Sequence, residues 1–247
     1  MPLAVFGPGS IYVTRTDIAN QTPVNIGYAN EFSYDESGDN KELYGQKQYP
    51  LDVARSTIKA TGKMKAARVS GIALNAAFHG LTFVAGQLVM AEAEAAAVPA
   101  ATPFTVQVAN SVDFDTDLGV IYAATGLPLQ KTTDVPVKGQ YSVANGTYTF
   151  AAADEGAPVN VTYAYKVAAS GQSLTVINQP IGTTPKFQLD YSTIHDGKPY
   201  YVRFYRCIAS KLSRQHKLSD FMMPEIDFSF MGNDADQVYT VSYPEVS

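Results

Sequence analysis

The sequence predicts a mostly β fold, and three observations predict it. Apolar and polar residues alternate with period two through much of the chain. Clusters of Gly, Asn, Asp and Ser punctuate that alternation, and a single short segment carries a full set of helix start and stop signals. At 247 residues the chain has the length of one or two domains and can bury a core without a metal or disulfide staple.

The opening residues, MPLAVFGPGS, have no charged leader and no long apolar stretch, so no signal peptide is expected. No run approaches the ~18 apolar residues that span a bilayer. Residues 26–36 alternate, with Tyr28, Asn30, Phe32 and Tyr34 on one face and Glu31, Ser33 and Asp35 on the other. The run DESGDN at 35–40 is turn chemistry. Pro50 demotes its part of the next segment, 41–55, to edge strand or loop. Alternation returns at 57–67, where Ile58, Ala60, Gly62, Met64 and Ala66 oppose Thr57, Lys59, Thr61, Lys63 and Lys65. Residues 24–69 therefore form a long antiparallel excursion, part strand and part extended loop.

One helix follows. Ser70 is its N-cap, Leu74 and Phe78 are its core-facing i,i+4 pair, and Gly80 suits a left-handed C-terminal position. The stretch MAEAEAAAVPAAT at 90–102 has helical composition, but Pro99 and Pro103 favour a strand end running into a linker. Short β-segments are expected at 104–109, 119–122, 140–143, 147–151 and 159–166, with Asn145-Gly146 as a hairpin turn. The tail adds strands at 187–191, 200–210, 225–230 and 237–242, and in the third of these Ile226, Phe228 and Phe230 oppose Glu225, Asp227 and Ser229. The organisation is one β domain, 1–85 plus 180–247, interrupted by a small all-β insert at 95–178.

Composition narrows the function. Charged residues are 17%, below the roughly 25% usual for soluble domains, which hints at an assembly. Eighteen basic residues against 23 acidic ones give a net charge of −5, which disfavours a nucleic-acid reader. The lone Cys207 has no disulfide partner and fits synthesis in a reducing compartment.

Motifs for chemistry are weak. His79, His195 and His216 have no metal-ligand spacing. Cys207 lies mid-strand and reads as a buried thiol. Asp113, Asp115 and Asp117 imitate a calcium loop, yet its sixth position is Leu118 and its twelfth Ala124, so an acidic turn before a strand is the plainer account. Neither Gly62-Lys63 nor Gly7-Pro8-Gly9 completes a phosphate-binding motif. Glu225 and Asp227 on one strand face mean a wet face more often than a glycosidase dyad. No catalytic, cofactor-binding or metal-binding residue is assigned, and no enzyme is expected. The stripe Lys59, Lys63 and Lys65 reads either as a solvated strand face or as a surface meeting acidic residues of a neighbouring subunit.

Three stretches resemble the tail tube (major tail) proteins of tailed bacteriophages: FGPGSIYVTR at 6–15 with IGYANEFS at 26–33, YGQKQYPLDVA at 44–54 with KATGK at 59–63, and YRCIASKL at 205–212 with DFMMPEIDF at 220–228. Within the insert, residues 139–156 and 159–165 are similar to small β modules of phage virion proteins.

The resemblance implies a tail-tube-like β-sandwich or partial barrel with a flanking short helix. It implies six subunits per ring, rings that stack, inner sheets joined into a continuous barrel, and a long loop after the second strand touching the adjacent ring. The chain would be synthesised in the bacterial cytoplasm and reside in the virion, with no cofactor and no membrane anchor. Its partners would be copies of itself and other tail proteins such as sheath, baseplate and terminator, and genomic DNA would pass without sequence-specific binding. Candidate assembly contacts are Asp35, Glu36, Asp39, Tyr44, Tyr49, Lys59, Lys63 and Lys65, with the lysines at subunit contacts opposite Glu31, Asp35, Glu225 or Asp227. The alternatives are another tail component, a carbohydrate-binding β module suggested by the many tyrosines, and, least favoured, an enzyme.

Overall fold

The computed structural model describes residues 7–67 and 70–244, so the first residue of the FGPGSIYVTR phrase lies outside the described residues. The fold is mostly β. Its strands in chain order are β1 (Gly9–Arg15), β2 (Val24–Tyr44), β3 (Pro50–Ala66), β4 (Val84–Ala97), β5 (Thr105–Gln107), β6 (Phe114–Tyr122), β7 (Gln130–Lys131), β8 (Gln140–Ala144), β9 (Thr147–Phe150), β10 (Pro158–Ser173), β11 (Phe187–His195), β12 (Lys198–Ser213), β13 (Glu225–Phe230) and β14 (Tyr239–Ser242). Two compact units emerge: Met1–Leu81 with Val176–Ser247, and Thr82–Thr175.

In the first unit the pairings return on themselves. Strand β1 pairs with β2, β2 with β3, β3 with β13, β13 with β12, β12 with β11, and β11 with β1, every pair antiparallel. Six strands thus close into a barrel, and β14 succeeds β13 along the N-terminal half of β12. Alternation explains the interior, because every second residue of a strand points inward. Val202 and Phe204, Phe187 and Leu189, Ile226 and Phe228, and Ile11 and Val13 are buried there. Each such side chain contributes about 1.5–3 kcal/mol by leaving water. Phe204 packs on Phe230 at 4.6 Å and Phe32 stacks on Tyr191 at 4.2 Å. Gly62 interrupts the apolar run of β3 because the Phe228 ring covers it: an added Cβ would lie 2.3 Å from that ring's Cζ.

Two expectations for β2 are corrected. Two register shifts change the phase, one at Ile26 against β1 and one between Ala29 and Glu31 against β3, so Ile26, Ala29, Phe32 and Tyr34 turn toward the core while Tyr28 and Asn30 are exposed. The DESGDN run is not a turn. It lies within β2, paired with β3, and absorbs one irregularity between Gly38 and Asn40. The chain reverses instead at residues 45–49, and Pro50 opens β3, where its missing N–H costs no interior ladder bond.

Helix α1 (Gly71–Leu74) continues as a wider π-helical turn over Asn75–His79. Ser70 Oγ accepts from the Ala73 N–H at 3.3 Å, and Gly80 closes the segment at φ 66°. Leu74 is buried and Phe78 packs against the same core.

The second unit is a sandwich of a three-stranded sheet, β4-β10-β6, and a four-stranded sheet, β5-β9-β8-β7. Val120, Val159, Val161 and Tyr163 of the first meet Tyr141, Tyr148 and Phe150 of the second in one core. Asn145 and Gly146 both take positive φ in the tight turn between β8 and β9. The linker expected at 90–102 is instead mostly strand β4, because it pairs along β10 from Ala97 to Val84. Only Val98 onward leaves the strand, and the unit begins at Thr82 where the sequence placed its start at 95.

Candidate assembly site

Beyond Tyr34 the β2–β3 hairpin leaves the core as an arm. Residues 35–49 and 51–59 are all exposed, on both faces of the hairpin. Ten residues of β2 in this stretch give an arm roughly 30 Å long. The arm carries Asp35, Glu36, Asp39, Tyr44, Tyr49 and Lys59 of the sequence-derived contact set. Asp35 lies opposite Thr61 at its base, Glu36 opposite Ala60, Lys59 opposite Ser37, and Asp39 at the register shift. Tyr49 stands at the tip with 83% of its surface exposed, beside exposed Leu43, Leu51 and Val53. Tyr44 donates to the Glu42 carboxylate, which raises the phenol's pKa. Burial and then the nearby Glu36 carboxylate push the Tyr239 hydroxyl up at the arm's base.

Lys63 and Lys65 lie elsewhere, on the exterior of the barrel. Cross-strand register sets Lys65 between Glu31 and Glu225, and Lys63 between Ser33 and Asp227. Lys63 Nζ is 3.0 Å from Glu225, and Lys211 lies 3.5 Å from Glu225 and 3.7 Å from Asp227. The hydrogen bond with Glu225 raises the Lys63 pKa, and the same bond lowers the Glu225 carboxyl. For Lys63 a carboxylate expected from a neighbouring subunit is thus supplied within the same chain. The sequence contained the cue, since Glu225 and Asp227 alternate as Lys63 and Lys65 do, but strand adjacency was hidden. Arg55 and Glu42 of the arm, and Lys211 beside Glu225 and Asp227, lie outside every alternating run of the sequence, so the pattern gave no signal for them.

The chemical candidates are dispersed or structural. Among the described residues no three His, Cys, Asp or Glu side chains gather as a metal group. His79 rests edge-on against Phe78 at 5.0 Å, and burial lowers its pKa. Cys207 is fully buried in the barrel, where burial pushes the thiol up. The three aspartates of the calcium lookalike diverge. Asp113 ends a short 3-10 turn, Asp115 accepts from the Thr116 hydroxyl, and Asp117 turns inward. There Asp117 accepts from Tyr141 and Tyr148 hydroxyls at 2.9 Å each, from Gly119 N–H at 3.1 Å and from Lys131 Nζ at 3.0 Å. Burial would raise this carboxyl, but Lys131 and the other donors outweigh it and hold Asp117 below the ordinary carboxylate range. Tyr141, Tyr148 and Tyr163 are buried, so these tyrosines offer no stacking platform to a sugar.

No protein-family model matches this chain, and no curated protein matches it. No helix among the described residues is long and apolar enough to cross a membrane.

Proposed function

We propose that this chain is a structural virion protein that polymerises as stacked hexameric rings into a bacteriophage tail tube, a conduit for genome ejection. The observation that carries the reading is the arm. A hairpin that buries none of its side chains contributes little to its own core, and its unpaired strand edges are an aggregation hazard in a lone molecule. Both features make sense when the edges join copies of the chain, and a closed ring leaves no edge free. The segments that resemble tail tube proteins include much of this hairpin, which supports the same reading. On it, the copies are made in the host cytoplasm and meet sheath, baseplate or terminator proteins in the virion.

Negative-stain microscopy of the purified full chain tests the proposal. Striated tubes with six-fold end views are expected. Rings that never stack would favour another tail component, and a chain that stays monomeric at every concentration would overturn the reading.

A further inference from the structure

The two free edges of the arm carry opposite charge. Strand β1 covers β2 only over residues 24–29, and β13 covers β3 only over 61–65. Beyond those limits each strand of the hairpin bonds to the other and keeps its outer edge without a ladder partner among the described residues. Within the arm, residues 35–44 of β2 carry Asp35, Glu36, Asp39 and Glu42 against Lys41 alone. On β3, residues 50–60 carry Arg55 and Lys59 against Asp52 alone.

The register keeps these charges from cancelling within the hairpin. Glu36 faces Ala60, Glu42 faces Val53, Lys59 faces Ser37 and Arg55 faces Asn40. No arm charge belongs to an ion pair among the described residues, in contrast to Lys63 on the barrel.

Resting on the proposed self-assembly, we infer that this segregation sets the polarity of association: the acidic β2 edge of one copy receives the basic β3 edge of the next. Directly opposed side chains across such a seam stand about 5 Å apart, where opposite charges attract and like charges repel. The hairpins of neighbouring copies would alternate β2, β3, β2, β3, which keeps every pair antiparallel. A two-fold dimer through β2 would set carboxylates against carboxylates and is rejected. The seam is therefore head-to-tail, the kind that closes into rings.

Two variants of the full chain test this. One reverses the β2 edge (Asp39→Lys with Glu42→Lys), and the other reverses the β3 edge (Arg55→Glu with Lys59→Glu). All four positions are exposed and distant from the core, and circular dichroism checks that each variant folds. Each variant alone is expected to lose the assembled species seen by light scattering. An equimolar mixture is expected to regain it, because each then offers the other an opposite edge. If either variant assembles alone as the unaltered chain does, or if the mixture of folded variants stays unassembled, the charge code is overturned while self-assembly stands. If the unaltered chain never associates, the proposed function itself fails.

Discussion

At the residue scale, the side chains that matter most are those whose partners lie far away in sequence. Asp117 belongs to a run that imitates a metal loop, yet its oxygens are spent on Tyr141, Tyr148 and Lys131. Replacing it with Ala strands two buried tyrosine hydroxyls and is expected to cost about 2–3 kcal/mol, read from urea unfolding of the full chain. Its pH dependence has a definite sign. The folded carboxyl titrates below its unfolded value of about 3.9, so the stabilisation is complete above that value and is lost as the pH falls through the folded pKa. Thermal melts between about pH 6 and pH 2 should therefore show a steeper acid decline for the unaltered chain than for Asp117→Asn. An unchanged acid limb would contradict that role. Gly62 teaches the same lesson: its place in the alternating face was legible, while the Phe228 ring that demands a glycine there was not.

At the element scale, the hairpin arm separates what builds the core from what does not. The pairing of Glu36 with Ala60 marks where it can be cut. Replacing residues 37–59 by a short Gly-Ser turn removes exposed side chains and the half-buried Pro50, none of them in the core, so the melting temperature is expected to stay within a few degrees of the unaltered value. Tubes or rings should vanish from micrographs of the same sample. Long tubes formed without the arm would show that the contact lies elsewhere. Strand β4 and the DESGDN run mark the limit of local propensity. Ala-rich and turn-rich sequences both became strand because a neighbouring strand supplied a hydrogen-bond ladder, and β-pairing outweighs intrinsic preference when the partner is fixed. The helix, by contrast, was legible, since its cap at Ser70 and its stop at Gly80 act within one turn of chain.

At the scale of the whole molecule, part of the barrel's exterior charge is neutralised within the chain. Lys63 and Lys211 are matched by Glu225 and Asp227, and Arg203 lies 2.6 Å from Asp190. A tube assembled from this chain is expected to release duplex DNA at about 0.15 M salt, with a shallow salt dependence, because its 23 acidic residues outnumber its 18 basic ones and repel phosphate. Retention of DNA with a steep salt slope in a filter-binding assay would refute this. The sequence by itself determined the β class, the helix, the Asn145-Gly146 hairpin and the inward face of β13, because period-two burial and turn chemistry are local. Only the tertiary structure decided that β11 and β12 close the barrel, that β4 joins β10, and that the lysines of β3 meet the carboxylates of β13. Those are pairings between segments distant in the chain, and the hydrogen-bond ladder that selects them is a property of the backbone, which every residue except proline offers in the same form.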